Sequence, residues 1–222
     1  MKQLLLSLLT ISLFLTACSS EETVTEQANA NNKMLKSFVV KKNADGSYVL
    51  TTQVTDGVGA IYYDDAIENQ VHLVKDAANN KNSLIHNYDI ADEQLKIQFI
   101  SEDASANSSL TIYDDGKSEA NRATDYGLLN NYSITANEDG TIQLNFEVKS
   151  GVAVNFGYND GENINDIYLS ENPDASDVSF SKSYSTESDG SLRIDFVQPA
   201  SATSRESDTR KPRVIYDDCP TC

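Results

Sequence analysis

The stretch Leu35–Val58, LKSFVVKKNADGSYVLTTQVTDGV, is written a second time at Leu129–Val152 as LNNYSITANEDGTIQLNFEVKSGV. The two lie on each other at a constant offset of 94, with identities at Leu35/Leu129, Asn43/Asn137, Asp45-Gly46/Asp139-Gly140, Leu50/Leu144, Val54/Val148 and Gly57-Val58/Gly151-Val152. Within each copy apolar residues alternate with polar ones: Tyr48, Leu50, Thr52 and Val54 in the first, Ile142, Leu144, Phe146 and Val148 in the second. A period of two puts such side chains on one face of a half-buried strand. The preceding NADGS and NEDGT supply an Asp-Gly pair, which gives the positive φ that a hairpin turn needs.

Working outward, Tyr88 matches Tyr184 at offset 96, and Leu95, Ile97 and Phe99 match Leu192, Ile194 and Phe196 at offset 97. The tetrapeptide IYDD recurs at 112–115 and 215–218, an offset of 103, and on this reading closes each copy. The offset grows where turn residues cluster, as insertions in surface loops do. Each copy contains seven short runs, at 35–42, 47–55, 58–63, 70–74, 83–88, 94–101 and 108–113 in the first. Seven strands per copy and no helical period imply an all-β chain of two tandem antiparallel β-sandwich domains, immunoglobulin-like in class. Neither copy contains the Cys and Trp residues of a true immunoglobulin core. The expected boundaries are 33–115 for the first sandwich, 116–127 for a linker and 128–218 for the second.

The chain begins MKQLLLSLLTISLFLTAC: one basic residue, an apolar run from Leu4 to Leu15, then small residues. That layout is a secretory signal peptide, and the run is short for a membrane span. Leu15-Thr16-Ala17-Cys18 resembles the lipobox of bacterial lipoproteins. The resemblance implies removal of residues 1–17 and lipid modification of Cys18, with more than one acyl chain for stable anchoring. Residues 18–32 read as a flexible tether, polar and poor in apolar surface. Ser19 stands where an inner-membrane retention signal has Asp, and Ser19-Ser20-Glu21-Glu22 is similar to the surface-export tract of Bacteroidota lipoproteins. The implied location is the outer membrane, exposed at the cell surface.

The formal charge is −17, from 17 Lys+Arg against 34 Asp+Glu, and losing residues 1–17 removes one Lys and no acid. Such a surface repels phosphate backbones, so nucleic acid is not an expected partner. No Gly-x-Ser-x-Gly elbow, phosphate loop or His-Glu-x-x-His run is present, and His72 and His86 have no partner at triad or metal-ligand spacing. No enzymatic activity is expected. Asp64, Asp65, Asp160 and Glu162 offer the oxygen ligands that calcium takes, but carboxylates at strand ends are also ordinary turn chemistry. Calcium is the one candidate cofactor.

The tail Cys219-Pro-Thr-Cys222 is a Cys-x-x-Cys pair at the chain's last residues, where no helix can follow to activate a thiolate. Outside the inner membrane a Cys219–Cys222 disulfide is expected; a metal completed from elsewhere or a bond to a partner's thiol is the alternative. The basic run 204–213 reads as a solvated loop or a dock for an acidic partner. Ile61-Tyr62-Tyr63 reads as partly buried strand rather than a sugar platform. Together these features imply a binding or scaffolding protein with a protein partner at the outer membrane or surface, capture of glycan or peptide being the alternative.

Overall fold

The computed structural model describes residues 33–43, 45–65, 68–89, 94–102, 107–114, 127–198 and 209–218. Strands β1 (Leu35–Lys42), β2 (Tyr48–Val54), β3 (Val58–Tyr63), β4 (Asn69–Lys75), β5 (Ser83–Tyr88), β6 (Gln94–Ser101) and β7 (Ser108–Tyr113) come from the first copy. Strands β8 (Leu129–Ala136), β9 (Thr141–Val148), β10 (Val152–Asn159), β11 (Ile164–Glu171), β12 (Ser179–Ser185), β13 (Ser191–Gln198) and β14 (Thr209–Asp217) come from the second. The seven runs expected in the first copy are strands within one residue at each end. No helix occurs among the described residues.

The strands form two sheets. One has the order β12-β9-β8-β1-β2-β5, the other β10-β11-β13-β14-β7-β6-β4-β3. Both sheets therefore run through both copies, joined by the β1–β8 and β7–β14 ladders. Lys33–Cys222 is one compact unit, so the copies are side-by-side halves of a single sandwich-like arrangement rather than separately closed bodies. The physical reason is that β1 and β7 would each be an open edge in an isolated half, and pairing them satisfies two rows of backbone donors and acceptors.

Register shows that the halves are related by an approximate two-fold axis. Leu35/Leu129 equivalence makes Val40 the counterpart of Ile134, and these two face each other across the β1–β8 ladder. In the other sheet Leu192 pairs with Tyr216 as Leu95 pairs with Ile112, so Tyr216 is the counterpart of Ile112 and Asp218 of Asp114. Thr111 then faces its own counterpart Ile215. This corrects the reading of the repeated IYDD: the two tetrapeptides stand one residue out of step. Ile112 and Asp114 are buried in β7 and just beyond it, whereas in the second tetrapeptide Tyr216 is buried and Ile215 faces out. A slip of one residue turns every side chain to the opposite face, so the letters coincide and the structure does not.

Two further expectations are corrected. The sheets are not antiparallel throughout, because β4–β6 and the equivalent β11–β13 are parallel. In an immunoglobulin sandwich the corresponding sheet is antiparallel; here β4 stands between β3 and β6. Second, the run 204–213 is not loop to its end, since β14 starts at Thr209. Pro212 is accommodated there by a register shift opposite Asp195–Val197, an irregularity of the kind to which strand prolines are confined.

The alternating residues of both halves fill one apolar cluster between the sheets. Phe38 stacks on Phe99 at 4.5 Å between ring centroids and meets Tyr216 of the other half at 6.2 Å, while Phe146 meets Phe196 edge-on at 5.2 Å. Offset and edge-to-face pairs of this kind add to the stabilisation from burial.

Candidate functional site

The sandwich has two open sides. One is flanked by the edge strands β3 and β5, the other by β10 and β12. Large exposed apolar side chains gather there: Ile61 and Tyr63 on β3, Ile85 on β5, Phe156 and Tyr158 on β10, Tyr168 on the adjacent β11, and Val178 just before β12. Of those seven only Tyr168 stands on an interior strand, β11, directly beside the edge strand β10. This concentration of exposed apolar side chains at the open sides marks them as the candidate interaction surfaces among the described residues.

Each open side is closed by an equivalent cluster. On the first, the Tyr62 ring lies flat on His86 at 4.1 Å and 5°, and His86 meets Tyr88 edge-on at 4.7 Å. Its Nε2 is 2.9 and 3.0 Å from the two carboxylate oxygens of Asp64. On the second side the register places Phe156, Lys182 and Tyr184 at the positions of Tyr62, His86 and Tyr88. There Lys182 Nζ stands 4.4 Å from the Phe156 ring centroid and 5.1 Å from that of Tyr184, two cation–π contacts. A nitrogen-bearing side chain thus points inward from the middle of each edge strand of the six-stranded sheet. Inward-pointing charge is one way proteins keep an edge from pairing with other chains, and Lys182 supplies it on β12. The hydroxyls of Tyr88 and Tyr184 are buried without a hydrogen-bond partner, and burial pushes both phenols up.

The outer face of the six-stranded sheet carries a different feature, a shallow groove of about 410 Å³. Lys41, Asn131, Ser133, Asn145, Glu147, Ser179 and Ser181 line it together with Tyr132, Phe146 and Phe180. Asn131 Nδ2 donates to Glu147 Oε2 at 2.7 Å, and Gln143 Nε2 donates to Ser181 Oγ at 3.0 Å alongside. Amides and hydroxyls of this density can exchange hydrogen bonds with a polar ligand.

Two charged clusters are buried, and the sequence reading missed both. Asp114, 4% exposed, accepts hydrogen bonds from Lys42 Nζ (2.7 Å), Tyr48 OH (2.7 Å) and Tyr132 OH (3.1 Å), and the two hydroxyls are 2.6 Å apart. Burial pushes the Asp114 carboxyl up, but the Lys42 ammonium and the three donors outweigh it and hold the group below its usual value. Burial, with Tyr48 and Asp114 adding to it, pushes the Tyr132 phenol well up, so it stays a neutral donor. On the outer face of the eight-stranded sheet Asp195, wholly buried, accepts two bonds from Arg193 (Nε 3.1 Å, Nη2 2.9 Å) and two from Arg213 (Nε 3.0 Å, Nη2 3.2 Å). Asp166, on the parallel neighbour, accepts from Tyr168 OH at 2.9 Å. The first half has Gln70 and Gln98 at the positions of Asp166 and Asp195. Arg213 is therefore committed to an internal carboxylate rather than offered to an acidic partner. A sequence signal did exist: an Arg two residues before an Asp within an alternating strand puts both on one face.

The four carboxylates considered for calcium are not brought together. Asp64 and Asp65 follow β3, while Asp160 and Glu162 follow β10, and these are the opposite edges of the eight-stranded sheet. Seven strand spacings separate them, roughly 33 Å at the usual inter-strand distance. Asp64 is moreover engaged by His86. Among the described residues no group of three His, Cys, Asp or Glu is placed to hold a metal. Within Ile61-Tyr62-Tyr63 only Tyr62 turns inward; Ile61 and Tyr63 are 45% and 53% exposed. His72 lies on the outer face beside Tyr63 and bonds Gln70 at 2.9 Å. Cys18, Cys219, Cys222, the signal peptide and the tether lie outside the described residues, as do all but Gly127 of the linker. No helix of the described residues is long and apolar enough to cross a membrane.

No protein-family model matches the chain, and neither a curated protein nor a solved structure is found to be similar to it.

Proposed function

We propose that this is a lipid-anchored binding or scaffolding protein of the outer membrane, tethered through Cys18, that holds a protein partner against an open side of its sandwich. Each half is read as a variant of the immunoglobulin-like class, three strands facing four, with β4 displaced into the sheet interior. The observation that carries the binding reading is the confinement of large exposed apolar side chains to the edge strands and their immediate neighbours. Had those residues served only folding, they would face the shared core with Phe38 and Phe146.

The anchor is tested by metabolic labelling with an alkyne fatty acid. Wild-type protein takes up label and pellets with membranes, while Cys18→Ala loses both; label retained by that variant overturns the assignment. Protease shaving of intact cells separates external from periplasmic exposure. The partner is tested by in-cell cross-linking from Val178, which should give a discrete protein adduct that Tyr158→Lys abolishes; an adduct unchanged by that substitution argues against this surface.

A second reading, glycan capture, is favoured by the groove lined by Asn131, Ser133, Asn145 and Ser181. It predicts saccharide binding that Asn145→Ala weakens, and a glycan array without hits removes it.

A further inference from the structure

We infer that the β3–β5 side of the sandwich pairs with the same side of a second copy of this chain, making a two-fold dimer whose sheets run on through both molecules. The inference goes beyond the binding reading and does not depend on the anchor.

Four observations carry it. The six-stranded sheet ends at β5 and the eight-stranded sheet at β3, with no further strand beside either among the described residues. The chain already joins its own halves by this device: β1 meets its counterpart β8, and β7 its counterpart β14, antiparallel about one approximate axis. An isologous contact repeats that geometry between molecules.

The edges are also self-complementary. If two β5 strands pair antiparallel with Ile85 at the axis, Ile85 faces Ile85 on the outer surface, where it is 67% exposed in the single chain. Ser83 then faces Asn87, and just beyond the strand Lys81 of each copy faces Asp89 of the other, two opposite-charge pairs. Shifting the register by two residues in either direction loses both the apolar match and the charge match. On β3 the corresponding arrangement sets Ile61 against Ile61. The two edges reach the axis at one level, since Tyr62 and His86, the neighbours of Ile61 and Ile85, stack face to face at 4.1 Å.

The opposite side is differently equipped. β12 presents Ser179, Ser181, Ser183 and Ser185 outward, with no large apolar side chain to match Ile85, and carries Lys182 inward from its middle where β5 has His86.

The test uses the full-length chain purified in detergent. Sedimentation should show a dimer. Ile85→Lys and Ile85→Glu should each be monomeric with unchanged circular dichroism, and mixing these two variants should restore a dimer, since opposite charges then meet at the axis. Ser181→Lys on the far edge should leave the dimer intact. Should either substitution at Ile85 unfold the chain, the exposed charge pair supplies a second route. Asp89→Lys weakens the dimer by about tenfold, and Lys81→Asp combined with Asp89→Lys restores it. A wild-type monomer at all accessible concentrations, a dimer that survives Ile85→Lys, or two folded Ile85 variants that fail to pair on mixing overturns the proposal, while the anchor and partner assignments remain to be judged on their own tests.

Discussion

At Asp114 a carboxylate 4% exposed is held by an ammonium and two phenols. Removing one member of a buried ion pair leaves the other uncompensated, a cost of about 3–5 kcal/mol. Asp114→Asn should therefore lower the unfolding free energy by about 3 kcal/mol in urea titrations at neutral pH. The pH dependence follows from the same contacts. The folded-state carboxyl lies below its ordinary 3.8, so its contribution is complete above that value and is lost as pH falls through the lower folded one. Asp114→Asn should flatten that acid limb of the stability curve. A second residue-scale case is Gly140, at φ +83° with nothing within 4 Å of an added Cβ. Gly140→Ala should cost about 1 kcal/mol from the left-handed backbone alone, and Gly140→Asn less, as read from melting temperatures.

At the scale of elements, three hairpins use one device. Asp45, Asp139 and Asp189 each accept from the backbone N–H and the hydroxyl of the residue two on, Ser47, Thr141 or Ser191, at 2.6–2.9 Å. Those hydroxyl and backbone bonds hold all three carboxyls below their usual value. Among the described residues of these loops only the following glycine has positive φ, and its N–H bonds the carbonyl three residues back, at Asn43, Asn137 or Glu187. The loop is thus a three-residue turn with a glycine bulge rather than the two-residue hairpin whose central residues both need positive φ. Edge strands follow a different rule. Lys182, inward on β12, discourages pairing, so Lys182→Val should raise concentration-dependent light scattering of the folded protein while Lys182→Arg does not.

For the whole molecule, the shared sheets and single apolar cluster tie the halves together. Cutting between them would expose β1 and β7 as edges and open the Phe38–Tyr216 and Tyr48–Tyr132 contacts across the seam. The intact chain should therefore melt in one calorimetric transition for both halves, and residues 33–115 expressed alone should fail to fold as a monomer. Two separate transitions would show that the seam contributes little.

Strand positions, turns and the duplication were legible in the sequence because each depends on neighbours a few residues apart: a two-residue alternation, an Asp-Gly before a hydroxyl, a repeated run. The tertiary structure decided what depends on pairing partners distant in the chain. It merged the two copies into continuous sheets, set Asp114 and Asp218 rather than the two IYDD tetrapeptides in equivalent places, and buried Asp195 between two arginines. It also sent Asp64 and Asp160 to opposite edges. Alternation states that a strand has an inner and an outer face, but which strand lies beside it, and in what register, is chosen by the competition of all edges for hydrogen bonds and apolar cover.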